Sequence, residues 1–392
     1  MISIRTAAVT LATGHATAIA IQSAKMEKTF SATITVTNRC NLHCIYCYEK
    51  NKSNDNMAVE TARDIVDTLM KECFGRDSCD KLSIQFFGGE PFLNYPVIKE
   101  TVEYVRNVYS SFPVHFLVTT NGTQLTDEMK CWLEAHKDLI TCGLSLDGQK
   151  KSHDLNRSNS FSMIDLSFFQ RVWPQYPIKM TISPQSLPFF AEDIIWLHEK
   201  GFKIKCNLAV GIDWSAEEYV TIFHKQLCIL SDYYISHPDV ELCSLLDFNM
   251  NMVGLVDKDM LISKYCGIGT SMCAYDVQGR RYPCQYFCEN TLGLPFEQTT
   301  LISIPEKYPA NNYNGECSSC ILIQVCPNCY GANYQIHGDC FCKDLSMCEM
   351  TKTAAVASSY IKAKRFLDHP DINSEKAANF FSGILAIQQV LG

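Results

Sequence analysis

The chain has 392 residues, 47% of them hydrophobic and 19% charged, with 34 basic against 42 acidic side chains and a formal net charge of −8. A mildly acidic chain without a basic tract is poorly suited to nucleic acid or an anionic membrane, and no run approaches the roughly 18–20 apolar residues that span a bilayer. Its 21 cysteines are too many for ordinary packing and too dilute for a small secreted disulfide scaffold, so their spacing has to decide between disulfides and metal.

At the N-terminus, Thr6, Thr10, Gly14 and His15 interrupt any apolar export signal. Val9 and Leu11, then Ile19 and Ile21, alternate about Gly14-His15 as in a hairpin. The chain therefore reads as a cytoplasmic protein with reduced thiols, disulfides being the minority reading. From Ser31 onward, β-rich runs at Ala32–Thr37, Leu82–Phe86, Val114–Thr119, Ile140–Leu146, Ile178–Ser183 and Lys203–Val210 alternate with helical patterns. The helices fall over Ala62–Cys73, Val97–Val108, Asp127–Ala135, Phe189–Lys200 and Ala216–Tyr234. Such alternation predicts an α/β fold with a parallel sheet of right-handed βαβ units, its chemistry in the loops after the strands' C-terminal ends. The pattern stops near His237-Pro238. A cysteine-dense stretch from Cys266 to Cys348 follows, then helices over Thr351–Leu367 and Glu375–Leu391. The organisation expected is a hairpin-like extension over 1–30, a barrel over 31–240, a cysteine-rich unit over 263–350 and C-terminal helices over 351–392.

Directly after the first strand comes Cys40-Asn-Leu-His-Cys44-Ile-Tyr-Cys47. Three thiolates on one loop can hold three irons of a cubane and leave the fourth iron without a protein ligand. The alternative is a zinc loop completed by a residue such as His43. Tyr46 offers an aromatic face beside the site. Phe87-Gly88-Gly89-Glu90-Pro91 follows the second strand, where glycines permit close backbone approach and Glu90 can compensate a positive charge. This combination closely resembles the radical S-adenosylmethionine (radical SAM) superfamily over roughly Ser31 to Tyr234. The resemblance implies a partial (β/α)6 TIM-like barrel whose 4Fe–4S cluster is ligated by Cys40, Cys44 and Cys47, with SAM on the unique iron and its amino group held by Gly88, Gly89, Glu90 and Pro91. Thr119-Thr120-Asn121-Gly122-Thr123 and Ser145-Leu146-Asp147-Gly148 match later segments in kind. Ser145's position contacts SAM in such maturases, and His153 to Arg157 supplies an arginine near the substrate or the carboxylate. A plain turn at Asn121-Gly122 and a surface ion pair between Asp147 and Arg157 are the alternatives.

In the second half, Cys266 and Cys284 bracket Gly279, and Cys317, Cys320, Cys326 and Cys329 form C-x2-C-x5-C-x2-C ahead of Cys348. Paired C-x2-C units are also common zinc knuckles. Behind a radical SAM barrel this order resembles the SPASM extension, which implies two auxiliary 4Fe–4S clusters: an outer one on Cys317, Cys320, Cys326 and Cys348, and an inner one on Cys266, Cys284 and Cys329. The last loop is one residue shorter than the family's usual C-x3-C. Either Cys273 supplies the fourth inner ligand or one iron stays open to substrate, while Cys340 or Cys342 can substitute as a ligand and Cys288 has no place in the pattern. Cys73, Cys131, Cys142, Cys206, Cys228 and Cys243 fall on barrel elements as small buried hydrophobes.

The resemblance further implies reductive cleavage of SAM to a 5′-deoxyadenosyl radical, a reductant such as flavodoxin or ferredoxin, and a peptide or protein substrate. Sulfatase maturases carry an Asp base directly after the cysteine aligned with Cys284; Gln285 stands there, and an amide cannot accept that proton. Maturation of a ribosomally made peptide, giving a thioether or other crosslink, is therefore favoured over sulfatase activation, with a small-molecule substrate as a third reading. Only about thirty residues precede the first strand, so leader recognition would fall to the hairpin or to a separate protein. No catalytic acid or base is identified. Tyr275, Tyr282 and Tyr286 flank the expected inner cluster and are candidate hydrogen donors.

Overall fold

Each β-rich run places apolar side chains on one face, and the helix that follows it covers that face. The computed structural model describes residues 28–75, 79–254, 266–304, 315–368 and 374–392; the hairpin expected before residue 28 lies outside them. Six parallel strands alternate with helices: β1 (Thr29–Thr37), α1 (Val59–Cys73), β2 (Lys81–Gly88), α2 (Tyr95–Val108), β3 (Val114–Thr120), α3 (Asp127–Ala135) and β4 (Ile140–Leu144). Then come α4 (Lys150–Asn156), α5 (Leu166–Val172), β5 (Ile178–Ile182), α6 (Phe190–Glu199), β6 (Ile204–Leu208) and α7 (Glu217–Ser236). Ile84 and Phe86 of β2, Phe116 and Val118 of β3 and Met180 of β5 join Ile65, Leu69, Ile98 and Val102 in one core. Phe86 and Phe116 stack with ring centroids 5.5 Å apart. The intervening residues, among them Gln85, Thr119 and Lys179, occupy the opposite face.

The sheet differs from a continuous run of six in two ways. Strands β1 to β4 form one sheet and β5–β6 a pair, joined at the seam by a bridge between Ser145 and Lys179 and by the Leu146 N–H donating to Lys179 O at 2.9 Å. The other edge of β1 is taken by β7 (Met272–Tyr275), parallel to it, with β8 (Arg281–Tyr282) antiparallel beyond. This strand of the cysteine-rich region satisfies backbone groups that an open edge would expose, and it fastens that region to the barrel. Short helices follow, α8 (Glu289–Leu292), α9 (Phe296–Thr299), α10 (Gly315–Ser318) and α11 (Tyr330–His337), before the long α12 (Cys348–Asp368) and α13 (Ser374–Val390).

Helix α12 packs along α7. Arg365 donates to the carbonyls of Tyr234, His237 and Val240 at 2.9, 3.0 and 2.9 Å, satisfying the orphan acceptors at the α7 C-terminus, and Ser358 donates to Leu246 O at 2.6 Å. Three cysteine expectations change. Cys73 is bonded to Cys79 and is no isolated core thiol, while Cys131 and Cys228 lie exposed on the solvent faces of their helices; Cys142, Cys206 and Cys243 are buried as expected. Among the described residues no helix is long and apolar enough to cross a membrane.

Leu230, on the buried face of α7, has no exposed surface. Leu230→Ala is expected to cost about 2–5 kcal/mol, read as a lower urea midpoint of the purified protein; an unchanged midpoint would remove α7 from the stabilising core.

Candidate functional site

The chain leaves β1 and passes over the C-terminal end of β2, where two glycines let it lie close. A Cβ on Gly88 (φ +138) would fall 2.0 Å from Thr37 O, and one on Gly89 would fall 2.2 Å from Arg39 O and 2.8 Å from the Cys40 Cβ. With no side chains there, the Gly89 N–H donates to Thr37 O at 3.1 Å and the Glu90 N–H to Arg39 O at 2.8 Å. The cysteine loop is held from its other sides too. The His43 N–H donates to Ser158 Oγ at 2.8 Å, the Ile45 N–H to Asn156 O at 3.0 Å and the Cys47 N–H to Cys44 O at 3.1 Å. Asn121 donates through Nδ2 to Asn41 Oδ1 at 3.0 Å, and Asn41 in turn to Thr123 Oγ1 at 2.8 Å. Asn121-Gly122 is thus more than a plain turn: it clamps the cysteine loop.

Cys40, Cys44 and Cys47 are all half-buried. Burial pushes the Cys40 and Cys44 thiols up, while Lys52 pulls Cys40 back and Arg157 pulls Cys44 back. Lys52, which no motif marked, faces all three thiols; burial lowers its ammonium, but the thiols and Glu49 hold it above its ordinary value. Three soft donors on one loop between two fixed cations suit an anionic iron–sulfur cluster with one open iron. Among the described residues no three His, Cys, Asp or Glu side chains close on a single metal ion.

Two buried carboxylates organise the surroundings. Glu90, 1% exposed, accepts from Thr120 Oγ1 at 2.8 Å, the Asn121 N–H at 2.8 Å and the Phe92 N–H at 3.2 Å. Burial pushes its carboxyl up to about 7 against those hydrogen bonds. Glu90 therefore ties the β2 loop to the β3 loop. Asp147 is wholly buried and accepts from Tyr46 OH at 2.5 Å, Arg157 Nη2 at 3.1 Å, Asn156 Nδ2 at 3.1 Å and the Thr181 N–H at 2.9 Å. Arg157 Nε stands 3.0 Å from Asp147 Oδ2, and its guanidinium lies 5.4 Å from the Tyr46 ring centroid. The surface ion pair considered for these two residues is instead a buried one. Burial pushes the Tyr46 hydroxyl well above its ordinary value. Ser145, at the seam, donates its N–H to Thr120 O at 2.9 Å.

In the cysteine-rich region the thiols fall into two groups. Cys317, Cys320, Cys326 and Cys348 are close enough to repel one another's charge, and Lys343 Nζ donates to Cys326 Sγ at 2.7 Å. Cys284, Cys329 and Cys266 stand together likewise. Tyr286 borders this second group, and its ring stacks on Tyr48 with centroids 5.6 Å apart, so an aromatic pair links it to the residue after Cys47. Cys273, one of the two readings for the fourth inner ligand, has other neighbours. On β7 it neighbours Arg281, Glu72 and Tyr275, because alternation turns Cys273 and Tyr275 to the opposite face from Ala274, and it is Ala274 that packs with Cys284. Cys340 is buried in that same small core with Cys329 for a neighbour, and burial pushes it up to about 11. Of the three tyrosines, only Tyr286 faces the inner thiols; Tyr275 lies beside Cys273, and Tyr282 donates to Asp276 Oδ2 at 3.0 Å.

Residues 34–162 match the Radical SAM superfamily. The chain's relatives include an uncharacterized protein of Methanocaldococcus jannaschii, 32% identical over 43% of this chain and 59% of that one, so the match spans less than two thirds of that relative's length. The radical SAM cyclopropyl synthase TigE of Paramaledivibacter caminithermalis is 21% identical over 81% of this chain and 71% of its own. A cysteine-type anaerobic sulfatase-maturating enzyme of Clostridium perfringens is 26% identical over 63% and 72%. The solved structure of native anSMEcpe with bound AdoMet and Cp18Cys peptide superposes with a TM-score of 0.61 at 19% identity, covering 92% of this chain and 99% of that one, and shares the fold.

Two predictions follow from the carboxylates. Glu90 moves from 4.5 to about 7 on folding, so the native state binds more protons and loses stability as pH rises across that window, by roughly 3 kcal/mol. Glu90→Gln should remove that share of the decline in urea stability of the metal-free protein between pH 5 and pH 8; an identical decline in both proteins would refute the assignment. Asp147→Asn leaves Arg157 buried and unpaired, at an expected cost of about 3–5 kcal/mol, and adding Arg157→Met should restore part of the lost thermal stability.

Proposed function

We propose that this chain is a radical SAM enzyme that modifies a peptide or protein. The observation that carries this reading is the seating of Cys40, Cys44 and Cys47 on the Gly88-Gly89 backbone, beside the Tyr46–Asp147–Arg157 cluster. The three thiols would hold a 4Fe–4S cluster with one iron open to SAM, with Gly88, Gly89, Glu90 and Pro91 along its amino side and Thr120, Asn121 and Ser145 further round the rim. When bound, the cluster and SAM supply a 5′-deoxyadenosyl radical that takes hydrogen from an unactivated C–H bond. Lys52 and Arg157 offset negative charge at the thiols, and Glu90 and Asp147 keep the rim rigid. Cys317, Cys320, Cys326 and Cys348 would hold an outer auxiliary cluster, and Cys266, Cys284 and Cys329 an inner one. Three such groups suit a net oxidation of the substrate.

The sulfatase-maturating relative and the anSMEcpe structure with its bound Cp18Cys peptide support this substrate class. Within it, a ribosomally made peptide receiving a crosslink is preferred over a sulfatase, because the neutral Gln285 follows Cys284 and cannot serve as a base. Sulfatase maturation is the second reading, supported by the Clostridium perfringens relative. The reading also includes a low-potential reductant of the flavodoxin or ferredoxin type, and a cytoplasmic location.

Anaerobic reconstitution should give about twelve irons per chain, four for each of three cubanes, and 5′-deoxyadenosine on reduction with dithionite in the presence of SAM. The Cys40→Ala, Cys44→Ala, Cys47→Ala variant should lose about a third of that iron and all SAM cleavage. Tightly bound zinc without SAM cleavage would overturn the reading.

A further inference from the structure

The side chain of Lys179 belongs to no motif and crosses the concave face of the sheet. On β5, Ile178, Met180 and Ile182 are buried in the helix-covered core, which leaves Lys179 and Thr181 on the other face. From there Lys179 Nζ donates to Thr119 Oγ1 at 2.6 Å, passing over β4 to reach β3. The β4 residue in register with Thr119 is Gly143, and the Tyr176 ring takes the space a side chain there would fill, a Cβ falling 2.9 Å from Tyr176 Cε1. Gln85 Nε2, from β2, donates to the same Thr119 hydroxyl at 3.2 Å. Three strands thus converge at one point of the interior, and Lys179 is itself the bridge partner of Ser145 across the seam.

An ammonium has three donors, and among the described residues Thr119 is the one acceptor recorded for Lys179 and no carboxylate lies within ion-pair distance. Asp147, which accepts from the Thr181 N–H of the same strand, is committed to Arg157. Across the strand pair, in register, stands Lys205, a second cation whose side chain is exposed to solvent. A half-buried ammonium beside a like charge and without a counterion is an unfavourable arrangement for the protein alone, and it becomes favourable once an anion enters. We propose that Lys179 anchors the substrate by binding a carboxylate that the substrate carries into the concave face, the acid being a Glu or Asp side chain or a C-terminal carboxylate. Burial and Lys205 pull the Lys179 ammonium down to about 8, in keeping with a cation that lacks its partner. The inference rests on the peptide-modifying reading for the identity of the ligand, though not for the existence of the site.

The test is competitive acetylation of anaerobically reconstituted holoprotein with SAM present, the peptide carrying Lys179 being quantified by mass spectrometry against the exposed lysines. The lowered ammonium makes Lys179 the more reactive amine. N-acetyl-L-glutamate should protect it, and N-acetyl-L-glutamine amide, which carries no carboxylate, should need roughly tenfold more for equal protection, the margin of one charge-assisted hydrogen bond. Equal protection by both compounds, or none by either, overturns the proposal, and protection by inorganic phosphate but not by acetylglutamate overturns the choice of carboxylate. Cleavage of SAM by the same wild-type preparation reports separately on the radical SAM reading, so each can fail while the other stands.

Discussion

Everything in the candidate site depends on two peptide groups approaching where side chains would forbid it. The Gly88-Gly89 backbone lies against Thr37, Arg39 and Cys40 so closely that a single methyl group at either glycine would overlap a carbonyl oxygen. That contact sets the height at which the cysteine loop leaves the sheet. Loops are usually the softest part of a fold; this one is pinned by the ends of β2 and β3 and by the C-terminus of α4 together, through Gly89, Asn121 and Asn156. A ligand bound on the thiols therefore meets a surface already shaped, and little ordering cost remains to be met on binding.

The two buried carboxylates extend that rigidity at unequal energetic risk. Glu90 is surrounded by neutral donors and gains protons on burial, so it works as an acceptor whose ionisation the site resists. Asp147 has a full counter-charge in Arg157 and collects donors from Tyr46, Asn156 and Thr181. Through Thr181 it reaches across the seam between β4 and β5, which the Ser145–Lys179 bridge and the Leu146 N–H also hold. A polar hub of this kind is secure while complete and fragile when one member is lost.

Much of this was legible in the sequence, and the failures have physical causes. The six parallel strands and the long helices carry their periodicity openly, so their boundaries agree with the structure to within a few residues. Strand β7 does not, since four residues without a helical crossover acquire their meaning only by pairing with β1. Cysteine spacing marked the groups that lie on single loops. It left Cys273 undecided, because strand parity, which spacing does not encode, sets that thiol beside Arg281, Glu72 and Tyr275. The pairing of Cys73 with Cys79 escaped notice because a helical pattern explained Cys73 well enough alone. Lys52 was invisible for a related reason: a lysine is common on any surface, and only the fold brings this one opposite three thiols.

The same reasoning separates the two kinds of cation near the site. Lys52 and Arg157 already face negative or acidic groups that the chain itself provides, so their charges are spent on holding the machinery together. Lys179 faces a hydroxyl and, in register, the solvent-exposed Lys205. Charge that a protein balances internally makes structure, whereas charge left unbalanced on an interior face makes selectivity, because only a complementary ligand relieves it. The concave face thus divides into a rim whose electrostatics are satisfied before any ligand arrives and an interior whose electrostatics are completed by one.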